Sequence, residues 1–284
     1  MPKVSVIIPC YNQGAFIGEA IDSVLAQSYL DYEIIVINDG SNDADSITVL
    51  NRLQKPHTTV YHTANAGVSA ARNYGIAKST GAFILPLDAD DWIDSRFLSL
   101  AVPLLEQNNK LELIGTGVNY FGEMNAMEFL PDYNPKQHLL QNLFFNTSLF
   151  RRISFDEVNG YDETFKLGWE DWDLFLRMVN NASQVHVITD YLLHYRIKSS
   201  SRNADLQLKK KQRAEQQLFL KHIKKYMEYF PEPIQDLRDN AHIKEQIDNF
   251  EKNKAELSNS ISYRLGHFLL SPVKWISKIG KASK

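Results

Sequence analysis

Short, nearly unbroken apolar runs alternate along the first half of the chain with stretches whose apolar residues recur every three or four positions. Residues 4–8 are rich in β-branched side chains and are closed by Pro9, which predicts a strand buried on both faces. Phe16, Ile17, Ala20, Ile21, Val24 and Leu25 then fall at helical spacing. The alternation repeats with a strand over 32–37, a helix carrying Ile47, Leu50 and Leu53, and a shorter strand over 59–62. Asn65-Ala66-Gly67 opens a helix with Val68, Ala71, Tyr74 and Ile76, stopped by Gly81, and the apolar run from Phe83 follows. Strand and helix in alternation with short connections predict right-handed βαβ units and a mostly parallel sheet flanked by helices, a Rossmann-like α/β layer. No Gly-x-Gly-x-x-Gly follows the first strand, which removes support for a nicotinamide or flavin site.

The second half is less regular. A helix is expected over 97–105, a strand over 113–120 running into irregular chain around 122–135, a weak helix over 139–143 and a short strand over 147–150. Residues 155–162 are rich in turn formers and predict a loop. Trp169-Glu170-Asp171-Trp172-Asp173 begins a helix with Leu174, Phe175, Met178 and Val179 on its apolar side, and 185–188 and 191–196 read as two closing strands. From about residue 204, Lys and Gln increase and glycine disappears until Gly266, so we expect a domain over 1–203 and a helical C-terminal extension over 204–284. Ile243, Ile247, Phe250, Leu257 and Ile261 follow a heptad-like spacing suited to a short coiled coil, a homodimer contact or a helix folded back on the domain. Beyond them Leu265, Phe268, Leu269, Val273, Ile276 and Ile279 share one side of a helix, largely away from Lys274, Lys278 and Lys281. That face suits an anionic membrane surface or a docked protein equally.

Composition narrows the classes. A net charge of −3 supplies no basic field for nucleic acid. One cysteine, Cys10, excludes an internal disulfide and fits a reducing compartment; without a partner signature it reads as a small buried residue. There is no basic leader before the first strand, and no apolar stretch approaches the roughly 20 residues that span a bilayer. The expectation is a cytoplasmic protein, membrane-associated only through the C-terminal tail.

The chemistry gathers where the predicted strands end. Asp88 and Asp90 lie two apart, so in extended chain their side chains leave the same face and can converge on one cation. Hard divalent cations such as Mg²⁺ or Mn²⁺ take one or two carboxylates plus phosphate and water. Alone, Asp88, Asp90 and Asp91 serve equally well as turn formers capping the next helix. The earlier strands, however, end in Pro9-Cys10-Tyr11-Asn12 and Asn38-Asp39-Gly40-Ser41. An aromatic to stack on a base, a carboxylate to accept from an imide N–H and a metal pair for a diphosphate together suit a nucleoside diphosphate, at the carboxyl ends where open α/β sheets bind ligands. Glu170 and Asp171 are adjacent at a helix start and point in different directions, so one can serve as a base while the other binds an acceptor or caps the helix. Trp169 and Trp172 beside them suggest a wall for a sugar.

With these motifs in order, the chain resembles the family 2 glycosyltransferases, inverting enzymes with the GT-A fold. The resemblance covers about the first 200 residues and is carried by 4–12, Ile37-Asn38-Asp39-Gly40-Ser41, 65–73 with Arg72-Asn73, Asp88-Ala89-Asp90, and Gly160-Tyr161-Asp162 followed by Trp169-Glu170-Asp171-Trp172. It implies a nucleotide-sugar donor, most readily a UDP-sugar, and an acceptor hydroxyl on a sugar, lipid-linked or protein-linked molecule. The matching donor segments contain Pro9, Tyr11, Asn12, Asp39, Asn65, Gly67, Arg72, Asp88 and Ala89. Tyr11 is implied to stack on the base, Asp39 to bind its edge, Arg72 to contact base or diphosphate, Asp88 to contact ribose or metal, and Asp90 to bind Mn²⁺ or Mg²⁺. Asp171 is implied as catalytic base, with Trp169, Glu170 and Trp172 on the acceptor side. One departure stands out: many members follow the closing Tyr-Arg pair with x-His, whereas here Tyr195-Arg196-Ile197 is followed by Lys198. A protonated lysine is no metal ligand, so Lys198 is expected on the diphosphate, with His194 a weaker substitute ligand. The rival reading is a catalytically inactive nucleotide-sugar-binding subunit.

Overall fold

The computed structural model describes residues 2–198 and 208–259. The chain divides into two compact units, Met1–His222 and Ile223–Lys284. The first carries β1 (Val4–Cys10), α1 (Gly14–Leu25), β2 (Tyr32–Asp39), α2 (Ala44–Arg52), β3 (Thr58–Thr63), α3 (Val68–Lys78), β4 (Phe83–Pro86), β5 (Trp92–Ile93) and α4 (Phe97–Gln107). It continues with β6 (Leu113–Gly122), β7 (Ala126–Glu128), α5 (Pro135–Leu140), β8 (Leu149–Arg151), α6 (Arg152–Glu157), α7 (Glu170–Met178), β9 (Val185–Ile197) and α8 (Leu208–Lys221). In the second unit lie α9 (Ile223–Tyr229) and α10 (Pro233–Asn259). Among the described residues no helix is long and apolar enough to cross a membrane. The side chains of Ile243, Ile247, Phe250 and Leu257, together with the whole segment 260–284, lie outside the described residues, and so do the heptad and the basic amphipathic face.

The strands form one sheet in the order β3-β2-β1-β4-β8-β6-β9-β5, with β7 paired to β6. The first four are parallel neighbours, as the alternating pattern predicts; beyond β4 the pairing is mixed, β8 running antiparallel to both β4 and β6 while β6 and β9 are parallel. This is the α/β sheet with flanking helices expected for a GT-A fold. All seven residues of β1 are buried, because both faces are covered. Val6 and Ile8 pack with Ile17 and Ile21 of α1 and Phe97 of α4, while Ile7 packs with Ile37, Ile76 of α3 and Phe175 of α7. At Gly75 a Cβ would stand 2.7 Å from Ile7 Cγ2, so α3 lies this close to the sheet only with glycine there.

Three local expectations change. Residues 185–197 form one strand rather than two, since the register on β6 shifts between Thr116 and Val118 and a bulge absorbs Thr189-Asp190. Residues 152–157 are helical, so the loop predicted over 155–162 begins later than expected; Arg152 ties this turn to the end of α3 by donating to the Gly81 and Ile76 carbonyls at 2.6 and 2.9 Å. The weak helix sits earlier, at 135–140, where the Asn134 side chain accepts from Gln137 N–H at 3.0 Å as a cap.

The first unit extends past residue 203 because α8 is stapled to α7. Asp173, fully buried, accepts from Lys221 at 2.8 Å and His222 at 2.9 Å through Oδ1, and from Arg177 at 2.7 Å through Oδ2. Burial opposes its charge, but the bonds from His222, Arg177 and Lys221 prevail and hold the carboxyl below its usual range. Its stabilisation is therefore complete above the unfolded carboxyl pKa and is lost as pH falls through the lowered folded value. Asp173→Ala is expected to cost about 3 kcal/mol, the low end for removing one member of a buried ion cluster because Lys221 and Arg177 are part-exposed. Urea denaturation at neutral pH measures it, and a loss below ~1 kcal/mol would show that α8 is not held by this cluster.

Candidate active site

The ends of β1, β2 and β4 and the start of α7 open onto one cleft of about 930 Å³. Its donor side is lined by Pro9, Tyr11, Asp39, Asn65 and Gly67. Tyr11 is 43% exposed, a free ring at the mouth. Asp39 is nearly buried and its two oxygens accept from Ala66 N–H at 2.9 Å and Gly67 N–H at 3.0 Å, so it also fastens the loop that starts α3. About four lone-pair sites serve a carboxylate, which leaves acceptor capacity for a ligand N–H. Cys10 also lines the cleft, yet burial pushes its thiol up to about 11, the behaviour of a small core residue.

Two expected donor residues lie elsewhere. Asn12 is not among the lining residues; its side chain accepts from Asn42 N–H at 2.9 Å and donates to Asn42 Oδ1 at 2.7 Å, clasping the loop after β2. Ala89 is fully buried in the core behind the cleft.

Asp88 and Asp90 both line the cleft and each is engaged by a cation. Asp88 Oδ1 accepts from Arg72 at 2.6 Å, and Asp90 Oδ2 pairs with Lys198 at 2.5 Å. Asp91 is turned behind them and accepts from Arg196 N–H at 2.8 Å; burial, then the charges of Asp88 and Asp90, push its carboxyl well above the usual range. Arg72, implied as a contact to base or diphosphate, lines the cleft as well. Its guanidinium is 2% exposed and bridges Asp88 to Glu170 Oε1 at 3.0 Å, so it joins the two carboxylate groups from beneath. Glu170, expected at the acceptor or as a cap, is thereby turned inward.

Asp171 keeps its place. It is half-buried on the cleft wall, accepts from Trp172 N–H at 2.8 Å and from Asn142 Nδ2 at 3.1 Å, and stands in the first turn of α7, where the helix dipole favours a carboxylate. Trp169 precedes the helix with φ +67° and lines the cleft; Trp172 lines it too, with its indole N–H held by the His138 carbonyl at 2.7 Å. His194 takes no part: its ring stacks on Trp92 at 3.4 Å and pairs with Asn119 at 3.1 Å. Arg196 is spent on the Asp90 carbonyl at 2.9 Å and on Glu19.

Tyr195 of the closing Tyr-Arg pair also lines the cleft, and several lining residues carry no motif: Asn142, Asn146, and Lys211 and Glu215 of α8. Asn142 and Asn146, short polar residues in a loop, read as turn chemistry, and Lys211 and Glu215 as a solvated helix face, until the folded contacts distinguish them.

The sequence profile of Glycosyl transferase family 2 matches residues 5–173. The chain is 39% identical over 118 residues to the uncharacterized glycosyltransferase EpsJ of Bacillus subtilis, a match covering 41% of this chain and 34% of EpsJ. It is 30% identical over 208 residues to the uncharacterized glycosyltransferase RT0329 of Rickettsia typhi, covering 69% of this chain and 64% of that one. Matches to the first relatives thus span about a third of their length or less. Among solved structures, S. aureus TarS 1-349 in complex with UDP-GlcNAc superposes with a TM-score of 0.63 at 17% identity, covering 80% of this chain and 73% of that one. The mannosyltransferase PcManGT from Pyrobaculum calidifontis in complex with GDP-Man and Mn²⁺ gives 0.58 at 17% identity, covering 95% and 84%. Likeness at that identity establishes the shared fold.

Proposed function

The chain belongs to glycosyl transferase family 2, and we propose that it transfers a sugar from a nucleotide sugar, most readily a UDP-sugar, to an acceptor hydroxyl with inversion at the anomeric carbon. The observation that carries this reading is one cleft in which the Asp88–Asp90 pair and Asp171 face the same space, joined through Arg72 and Glu170. Tyr11 and Asp39 supply a stacking ring and an acceptor edge for the base. Asp171 takes the proton of the acceptor hydroxyl as it attacks. Displacement by a single base needs no covalent intermediate and inverts the centre. Trp169 forms the acceptor wall, and a sugar, lipid-linked or protein-linked hydroxyl in surface polysaccharide or glycoconjugate assembly suits it.

The residues present fit Mg²⁺ or Mn²⁺. One oxygen each of Asp88 and Asp90 remains unengaged among the described residues, and no group of three His, Cys, Asp or Glu is found among them. Two carboxylates with substrate phosphate and water are the donor set these ions use. Bound there, the ion would supply Lewis-acid neutralisation of the leaving diphosphate. Lys198, beside Asp90, can turn its ammonium to the same diphosphate.

Thermal shift against a panel of UDP-, GDP- and dTDP-sugars with Mn²⁺ tests the reading. The UDP-sugars are expected to raise the melting temperature most, since a ligand at 100 times its Kd adds about 2.7 kcal/mol to the folded state. No shift with any nucleotide sugar would remove the proposal. Binding without turnover, on a range of sugar acceptors, would favour the inactive subunit.

A further inference from the structure

Neither the donor nor the base role uses Asn73, Gly160 and Tyr161, yet together they build one device. Asn73 grips the Tyr161 backbone twice, donating from Nδ2 to its carbonyl at 2.9 Å and accepting at Oδ1 from its N–H at 2.9 Å. Gly160 has φ +70°, and a Cβ there would stand 2.8 Å from both Asn73 Oδ1 and the Phe155 ring, so only glycine lets the two segments meet. Held this way, Tyr161 is 2% exposed and its hydroxyl donates to Asn146 Oδ1 at 2.9 Å. The bond turns the amide oxygen of Asn146 inward. Its Nδ2, with two N–H donors, has no partner among the described residues, although Asn146 is 9% exposed and lines the cleft. A buried donor left unmade within the protein calls for a partner from outside it, a water or a ligand.

The neighbours of Asn146 say what that ligand is. The Tyr161 ring lies 5.4 Å from the Arg72 guanidinium, which is bonded to Asp88 and Glu170. The loop that carries Asn146 also sends Asn142 to Asp171. Asn146 is thereby linked to Asp88 through Tyr161 and Arg72, and its loop to Asp171 through Asn142. A sugar in transfer occupies the space between those two carboxylates.

We propose that Asn146 is a specificity residue for the transferred sugar, its Nδ2 donating to a hydroxyl or carbonyl oxygen on the ring, and that Asn73 and Tyr161 are positioning residues acting through it. This rests on the glycosyltransferase reading above. A site built around a buried donor rejects analogues that cannot accept from it.

The test compares two ligands on each variant: the tightest-binding nucleotide sugar of the panel and its own nucleoside diphosphate, by calorimetry. Asn146→Ala is expected to weaken the nucleotide sugar about tenfold, the effect of one hydrogen bond to a neutral partner, and to leave the diphosphate within about twofold. Tyr161→Phe, which keeps the ring and removes only the hydroxyl, is expected to move the nucleotide sugar the same way by a smaller factor. Because Tyr161 acts through Asn146, the double variant should bind as Asn146→Ala does, whereas two independent structural effects would add. Equal weakening of both ligands, no weakening of either, or additivity would overturn the assignment while nucleotide-sugar binding by the unaltered protein stands. Absence of that binding would overturn the glycosyltransferase reading and this one with it.

Discussion

Asp171→Asn is expected to bind nucleotide sugar as the unaltered protein does and to lose transfer by about 10²–10⁴-fold, the usual contribution of a positioned general base. The variant suits the question because it preserves shape. Asn can still accept from Trp172 N–H at Oδ1, the bond Asp171 makes at 2.8 Å. What it lacks is the basicity to take a proton from the attacking hydroxyl. Asn142, which donates to the other Asp171 oxygen at 3.1 Å, holds that carboxylate toward the cleft and would face an amide instead. Steady-state transfer beside an equilibrium affinity separates the two effects: a fall in kcat at unchanged donor affinity identifies the base, whereas near-normal turnover would remove Asp171 from that role. Glu170 is a poor substitute, since it is 2% exposed and committed to Arg72 at 3.0 Å.

The parts of this site that local chemistry dictates are legible in the chain. An unbroken β-branched run such as residues 4–8 has little alternative to a strand covered on both faces, and the carboxylates that follow Phe83–Pro86 must emerge at its carboxyl end. Asp39, Asp88 and Asp90 are found on the cleft for that reason, while Asp171 reaches it from the first turn of α7. What sequence does not carry is which partner a charged residue meets. Arg72 reads as a ligand-binding cation, but its position on the buried face of α3 sets it between Asp88 and Glu170. Arg196 of the closing Tyr-Arg pair likewise meets a partner that the sequence does not name, holding the Asp90 carbonyl and Glu19. Asn142 and Asn146 are invisible for a different reason: a short amide in a loop has no period, and its role arises from residues 15 to 29 positions away in the chain. The single strand over 185–197 was hidden by a bulge, which interrupts the side-chain alternation without ending the pairing.

Chelation is the experiment with the other large expected effect. EDTA should reduce transfer by about 10²–10³-fold, in keeping with the several kcal/mol that a bound cation contributes to a developing diphosphate charge. Asp90→Ala should weaken nucleotide affinity in the presence of Mn²⁺ and have little effect on affinity in EDTA, because the lost ligand matters only when the ion is there. The two results discriminate because Lys198 offers an alternative cation at the same place, 2.5 Å from Asp90 Oδ2 with only 19% of its side chain exposed. If Lys198 alone neutralised the diphosphate, transfer would persist in EDTA, and Lys198→Ala rather than Asp90→Ala would abolish it. Arg196 cannot take that part while its guanidinium serves the Asp90 carbonyl and Glu19. Both cations can also act together: Asp90 engages the ammonium through one oxygen, and a hard cation needs only the other. On that arrangement Lys198→Ala lowers transfer modestly and raises the apparent Mn²⁺ affinity, since Asp90 no longer shares its charge. Unchanged Mn²⁺ affinity in Lys198→Ala would show instead that the lysine and the ion do not compete for Asp90.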